Sequence, residues 1–230
     1  MRLNKYLAQC GLGSRRKCDE IISKGKIKIN GQIVKDFSFS VTNEDYVQYN
    51  NKLIDAETLV TYMLFKPKGY ICTKNDKYNR KVIYDLLPTS NLFSVGRLDY
   101  DTTGLILLTN DGDLCYKLSH PKFQIKKKYI VSTDQKLTNS QVKQISKGLR
   151  IDNKIKYTAT INFLSSEKNK FFWDVILTEG KNREIKKIFN FFGIKVLSLH
   201  RYKFGNLMLG ALKEGKYRKI KKSELKSFEK

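Results

Sequence analysis

The chain has 230 residues, and its 45 Lys and Arg against 22 Asp and Glu give a formal net charge of +23. Apolar residues make up 40% and aromatic residues 12%, enough for a packed core, which excludes overall disorder. No run of about 18 apolar residues offers a membrane-spanning helix. In chain order, Arg2 to Gln9 places Leu3, Tyr6 and Leu7 at helical spacing, and Gly11 and Gly13 stop that helix. Ser14 is placed to cap a second helix, Arg15 to Lys24, with Cys18, Ile21 and Ile22 on its inner face and Gly25 at its end. Lys26 to Asn30 alternates as a strand with Ile27 and Ile29 inward, Asn30-Gly31 is a hairpin turn, and Ile33-Val34 begins the return strand. Val41 and Tyr46 to Tyr49 read as further short strands. Asn50 to Thr58, polar and without periodicity, reads as a linker.

From Val60 onward the pattern changes. Tyr62 to Phe65 reads as a strand closed by Lys66-Pro67-Lys68-Gly69 and resumed at Tyr70-Ile71-Cys72. Leu105 to Leu108 is a continuous apolar strand of the kind buried on both faces. Asn110-Asp111-Gly112-Asp113 turns the chain into a helix around Leu114 to Ser119. Lys128 to Ser132 reads as a strand with Tyr129 and Val131 on one face. Gln141 to Lys147 reads as a helix, Phe172 to Thr178 as a strand, and Arg183 to Phe192 as a helix ended by Gly193. Val196 to His200 and Asn206 to Leu209 are the last clear strands, and the basic tail from Lys213 is expected to fray. Strands outnumber helices and short loops join them, so the expected fold class is α+β with a mixed, largely antiparallel sheet. The expected division is a small domain over 1–58 and a larger one over 59–230.

Four cysteines, Cys10, Cys18, Cys72 and Cys115, stand far apart without a C-x-x-C pair. They read as reduced thiols of a cytoplasmic protein, neither a disulfide framework nor a zinc site. Met1 to Lys5 is positive with no apolar stretch behind it, so no secretory signal is expected. The surplus of bases asks for an anionic partner. A drift of composition towards Lys, Asn and Ile would raise acids too, yet acids are half as many as bases. A nucleic acid fits, with salt-sensitive affinity, though charge does not choose between DNA and RNA.

The densest group of reactive side chains is Gly96-Arg97-Leu98-Asp99-Tyr100-Asp101-Thr102-Thr103-Gly104, running into the apolar strand and then Thr109-Asn110-Asp111-Gly112. Two carboxylates and an arginine ahead of a rigid strand can hold a reactive group in place; equally, Asp99 or Asp101 could simply cap turn amides. Dinucleotide-binding, Walker and H-E-x-x-H patterns do not occur, and His120 and His200 lie far apart without a cysteine cluster. No cofactor and no metal are expected, and both histidines read as structural or nucleic-acid contacts.

Two resemblances sharpen this reading. The α-α-β-hairpin start, with Ser14-Arg15-Arg16 on the second helix and Lys26-Ile27-Lys28-Ile29-Asn30-Gly31 after it, resembles the S4 RNA-binding domain. That resemblance implies a phosphate-binding helical face of Arg2, Lys5, Arg15, Arg16 and Lys17. Gly96-Arg97-Leu98-Asp99, followed by Thr102-Thr103-Gly104-Leu105-Ile106-Leu107-Leu108-Thr109-Asn110-Asp111-Gly112 with the pattern Thr-x-Gly-Leu-hydrophobic-Leu-Leu, resembles the nucleophile motif of the RsuA/RluB-type pseudouridine synthases. Lys66-Pro67-Lys68-Gly69, Lys127-Lys128-Tyr129, Glu179 to Lys187 and Leu199-His200-Arg201 extend that resemblance over essentially the whole chain. It implies Asp99 as catalytic carboxylate, Tyr129 as the ring stacked on the target base, and Lys186 as the cation paired with the aspartate, keeping it ionised in a dry pocket. It further implies Leu199 on the pocket floor and Arg97 filling the space the flipped base vacates. Lys181, Glu184 and Ile185 depart from the family pattern, where an arginine, an amide and a valine are usual. Asn182-Arg183 is closer to the large-subunit members, and Arg183 is expected among the RNA contacts. The implied activity is isomerisation of uridine to pseudouridine in ribosomal RNA, naked or in an assembly particle, by a cytoplasmic monomer with no membrane partner. The alternatives are a non-catalytic rRNA-binding or ribosome-assembly protein, a small-subunit synthase, and a base-removing glycosylase.

Overall fold

In the computed structural model, which describes residues 1–89, 91–152 and 155–228, the chain divides into Met1–Leu59 and Val60–Lys230. In the first unit the Ser14 hydroxyl accepts from Lys17 N at 3.2 Å, satisfying one of the free amides that open a helix. That cap starts α2 (Arg15–Ser23), which packs on α1 (Leu3–Gln9). Four short strands follow, β1 (Ile27–Ile29), β2 (Gln32–Ile33), β3 (Val47–Tyr49) and β4 (Lys52–Leu53), in the sheet order β2-β1-β3-β4. Leu3, Leu7, Cys18, Ile22, Ile27 and Val47 form their common core. Two expectations fail here. Val41 is a buried loop residue that exchanges hydrogen bonds with Met1, not a strand residue. Asn50 to Thr58 is not a free linker: Asn50 and Asn51, at φ 49° and 64°, make the tight turn that two left-handed residues allow, and β4 returns along β3. Ile54 N then donates to Val47 O, the Tyr6 hydroxyl to Ile54 O, and Glu57 N to Gln9 O.

The second unit is built on one large sheet. Its strands are β5 (Thr61–Lys66), β6 (Phe93–Ser94), β7 (Thr103–Thr109), β8 (Lys127–Thr133), β9 (Leu149–Asp152), β10 (Ile155–Tyr157), β11 (Thr160–Glu167), β12 (Lys170–Leu177), β13 (Val196–Phe204), β14 (Leu207–Met208) and β15 (Tyr217–Lys219). Its helices are α3 (Gly112–Ser119), α4 (Asn139–Lys147), α5 (Glu184–Phe191) and α6 (Lys222–Leu225). The sheet order is β11-β12-β8-β13-β7-β5-β15, with β14 on β13 and β6 on β7, while β9 and β10 form a separate pair. Only β13 with β7 is parallel among the described strand pairs, so the sheet is mixed and largely antiparallel, and the chain is α+β. Both faces of its centre are covered: Ile106 and Leu108 join one apolar cluster, Leu105 and Leu107 the other. This is why β7 reads as an unbroken apolar run and not as an alternation.

Three further differences from the sequence reading have local causes. Tyr70 to Cys72 does not resume β5; Ile71 makes a single bridge to Val82, because Gly69, at φ 85°, turns the chain away. The stretch from Leu149 to Glu167 holds three strands the sequence did not announce, since β11 is an almost fully exposed edge strand without an alternating face. The basic tail does not fray over its described part. Its β15 pairs with β5, Ile220 is buried, and Arg218 holds Glu224 at 2.7 Å. Glu229 and Lys230 lie outside the described residues.

Candidate active site

Asp99 stands in the loop 95–102 between β6 and β7, and that loop is pinned from behind. Lys66 is wholly buried, and its ammonium donates to Pro67 O at 2.9 Å and Thr102 O at 2.8 Å. Burial pulls its pKa down against the pull of the surrounding acidic groups. Gly69 N donates to Tyr100 O at 2.8 Å. The Cys72 sulfur accepts from Leu98 N at 3.4 Å and donates to Leu98 O at 3.3 Å. Thr102 N closes a turn onto Asp99 O at 3.1 Å. Few torsions remain by which the Asp99 carboxylate could wander, which is how a loop holds a reacting group.

Facing that loop, α5 buries Ile185, Ile188 and Phe189 at helical spacing and turns Lys186 towards the carboxylates. Arg183 enters the helix in the left-handed region, φ 51°, and the Glu184 carboxylate reaches back to accept from Lys181 N at 3.0 Å. Glu184 is buried, and burial pushes its carboxyl above the ordinary range. Lys186 Nζ lies 3.5 Å from Asp99 Oδ2 and 2.5 Å from Asp101 Oδ1. The lysine is thus shared, and Asp101, which the motif comparison left without a role, is its nearer partner. Burial pushes Asp101 up, but the hydrogen bond and charge of Lys186 outweigh it and the carboxyl lies below the usual range.

The floor comes from the sheet. Tyr129 on β8 faces Arg201 on β13, and Leu199 faces Val131 one step along. Asp99, Tyr129, Lys186, Leu199, Arg97 and Arg183 line one cavity of about 230 Å³. Tyr129 and Leu199 are buried, whereas Arg97 and Arg183 lie exposed at the margin. The chemistry available is that of a carboxylate and an ammonium beside an aromatic ring and an aliphatic floor, room for a flat heterocycle.

Two cavity residues were not singled out from the sequence. Arg201 is 3% exposed; its Nε donates to Leu105 O at 2.6 Å and Nη1 to the Tyr129 hydroxyl at 3.4 Å, while Nη2 is buried without a partner among the described residues. Lys127 donates to Thr178 O at 3.3 Å, and burial, then the Arg201 charge, pulls its pKa down to about 8. The signal was period two: Lys127 shares a strand face with Tyr129, and Arg201 with Leu199.

Arg2, Lys5, Arg15, Arg16 and Lys17 lie in the first unit. All but Lys5 are exposed, but they belong to two helices, and the three consecutive ones project about 100° apart, so they do not form the single helical face expected. Lys17 is paired with Glu20 at 3.1 Å. His200 is bonded to the Thr103 hydroxyl through Nδ1, and His120 accepts from Lys122 N, so both are structurally engaged. All four cysteines are free thiols. Among the described residues no cluster of His, Cys, Asp or Glu could hold a metal ion.

Residues 60–223, which contain the whole cavity, match the RNA pseudouridylate synthase family, and residues 1–47 match the S4 domain. The chain belongs to the RNA pseudouridylate synthase family. This pseudouridylate synthase is 35% identical over 229 residues to a ribosomal large subunit pseudouridine synthase B of Bacillus subtilis, covering 98% of this chain and 94% of the relative. It is 33% identical over 217 residues to a protein of the same name from Yersinia pestis, covering 90% and 68% of the two chains. A solved structure described as a pseudouridylate synthase superposes with a TM-score of 0.71 at 30% identity, over 99% of each chain.

Proposed function

We propose that this pseudouridine synthase isomerises uridine to pseudouridine in ribosomal RNA of the large subunit, with Asp99 as the catalytic carboxylate. The observation that carries the reading is the convergence of Asp99, Tyr129, Lys186, Leu199 and Arg97 on one cavity. The large-subunit target rests on the relatives that bear that name. In the reaction the N1–C1′ bond of uridine breaks and a C5–C1′ bond forms; the proton on C5 leaves and N1 takes one up. The base must first leave its stack, which costs roughly a few kcal/mol. A ring such as Tyr129 returns about 1–3 kcal/mol by stacking. Leu199 supplies the floor, Lys186 fixes the carboxylate and offsets its charge, and Arg97 occupies the gap left in the RNA. Arg183 at the margin and Arg2, Lys5, Arg15, Arg16 and Lys17 in the S4 domain meet phosphates, consistent with the +23 charge. On this reading the protein works as a monomer in the cytoplasm, on naked rRNA or an assembly particle.

The test is carbodiimide and primer-extension mapping of transcribed rRNA after incubation with the protein. Wild type gives a new pseudouridine stop in large-subunit RNA. Asp99→Ala and Asp99→Asn give none while still binding RNA, and Asp101→Asn keeps the product. Wild-type product from the Asp99 variants would remove the mechanism. Product in small-subunit RNA alone would move the target, and release of free uracil would make the enzyme a glycosylase.

A further inference from the structure

The Asp99 cavity shares a wall with a second one of about 390 Å³, to which Arg97, Asp99, Lys181 and Arg183 also belong. What the second cavity adds is Ile71, Cys72, Thr73, Arg80 and Asn182. The guanidiniums of Arg80, Arg97 and Arg183 and the ammonium of Lys181 border this space; Arg80 is paired with Asp76 and Lys181 with Glu179 at 2.6 Å, so the space beside Asp99 is net cationic through Arg97 and Arg183.

Arg80 comes from a loop that is built to stay put. The Asp76 carboxylate accepts from Tyr78 N at 3.2 Å, Arg80 N at 2.9 Å, Arg80 Nε at 3.1 Å and Arg80 Nη2 at 2.6 Å. Asn79 takes the left-handed conformation, φ 51°, that lets the chain fold back over the carboxylate. Those Arg80 hydrogen bonds hold the Asp76 carboxyl down at about 2, so the pair is charged at every working pH. A guanidinium has five N–H groups, and this clamp leaves the Nη1 pair without a protein partner among the described residues. The same guanidinium lies 5.1 Å from the centre of the Tyr78 ring. Tyr78 is 78% exposed, while its own N–H and that of Arg80 are both held by the Asp76 carboxylate. An exposed aromatic ring with a cation beside it, carried on backbone that is held, is a stacking platform part of whose ordering cost is already met.

Resting on the reading given under Proposed function, we propose that this second cavity is a subsite for the nucleotide that neighbours the target uridine in the RNA strand, with Arg80 and Arg183 on its phosphate and Tyr78 stacked on its base. Everting one base strips its neighbour of a stacking partner while keeping the neighbour's phosphate close to the everted sugar. A net cationic space sharing Asp99 with the reaction cavity, with an exposed ring beside its Arg80, answers both needs. The contact is to backbone and π-face, so it tolerates any base and adds affinity without sequence preference.

The experiment uses the full chain and two readouts. The first needs no turnover: a single-stranded oligouridylate carrying one 2-aminopurine, whose fluorescence falls on stacking. Wild type quenches it; Tyr78→Ala loses most of the quench, Tyr78→Phe keeps it, and Arg80→Gln lowers the log–log salt slope of binding by about one. Arg80→Lys keeps the charge but not the two-point grip on Asp76, and loses part of the quench. The second readout is turnover on large-subunit rRNA, where Tyr78→Ala raises KM by about tenfold with kcat nearly unchanged. Quenching and KM unchanged in Tyr78→Ala would overturn the subsite. A chain that binds and quenches but forms no pseudouridine would instead fail the reading under Proposed function and leave the subsite standing.

Discussion

Arg201 and Tyr129 are register partners across β13 and β8, joined by a hydrogen bond of 3.4 Å from the guanidinium to the phenol oxygen. The phenol accepts from Arg201, so its own hydrogen is directed elsewhere, and the ring that lines the Asp99 cavity is held from behind. The arginine in turn is anchored on Leu105 O at 2.6 Å. Arg201→Lys keeps the charge but loses the planar fork. We expect kcat on rRNA to fall by about tenfold with little change in KM or thermal midpoint. Arg201→Ala additionally leaves the Leu105 carbonyl buried and unpaired, which costs about 1–3 kcal/mol, and lowers the midpoint measurably. Steady-state kinetics with calorimetry on both variants checks this, and an Arg201→Lys variant with wild-type kcat would contradict the positioning role.

Lys127 gives a pH dependence of defined sign. Its folded pKa, pulled to about 8, lies below the unfolded value of 10.5. Between those values the unfolded chain binds more protons than the folded one, so the lysine's contribution to stability rises with pH through that window. Below about pH 8 the ammonium is charged in both states and its burial is a constant cost. Relative to Lys127→Met, wild type should gain stability from about pH 8 to about pH 10.5 and show a constant difference below. Denaturant midpoints of the two proteins across that range measure it; a difference that stays flat through that window, or moves against wild type as pH rises, would show that the lysine is not held in the cavity wall.

Gly104 decides how closely β7 and β13 approach. A Cβ there would sit 2.2 Å from Arg201 O and 2.6 Å from Arg201 N, and the residue holds φ at 113°. Neither backbone can yield without separating the one parallel pair described in the sheet. Gly104→Ala is expected to cost about 2–4 kcal/mol from strain and overpacking. It also displaces Arg201, so rRNA turnover should fall even at temperatures where the protein is folded. Near-wild-type stability would mean that the two strands pack less tightly than described.

Much of the frame could be read from residue order because its signals are local. Ser14 caps α2, Asp111 caps α3 through hydrogen bonds to Asp113 N and Leu114 N, and Asn30-Gly31 turns β1 into β2. The Asp99 loop by its spacing alone reads equally well as a turn that caps backbone amides, and it is the resemblance of its motif to a known family that singles it out. Where local cues were weak the reading failed. Asn50-Asn51 turns as tightly as an Asn-Gly pair, and β11, at the sheet's edge, has no buried face to impose an alternation.

By residue order alone, this chain declares a two-part α+β protein with a basic surface, since caps, turns and apolar runs act over a few residues; Asp99, Tyr129, Lys186 and Leu199 are brought together as a set only by the resemblance to the pseudouridine synthases. Only the tertiary structure decided that Lys186 sits nearer Asp101 than Asp99, that Arg201 and Lys127 stand in the cavity wall, and that Arg80 opens onto a second cavity beside it. Those relations join residues tens of positions apart through strand register and burial, and neither quantity is written in any short stretch of sequence.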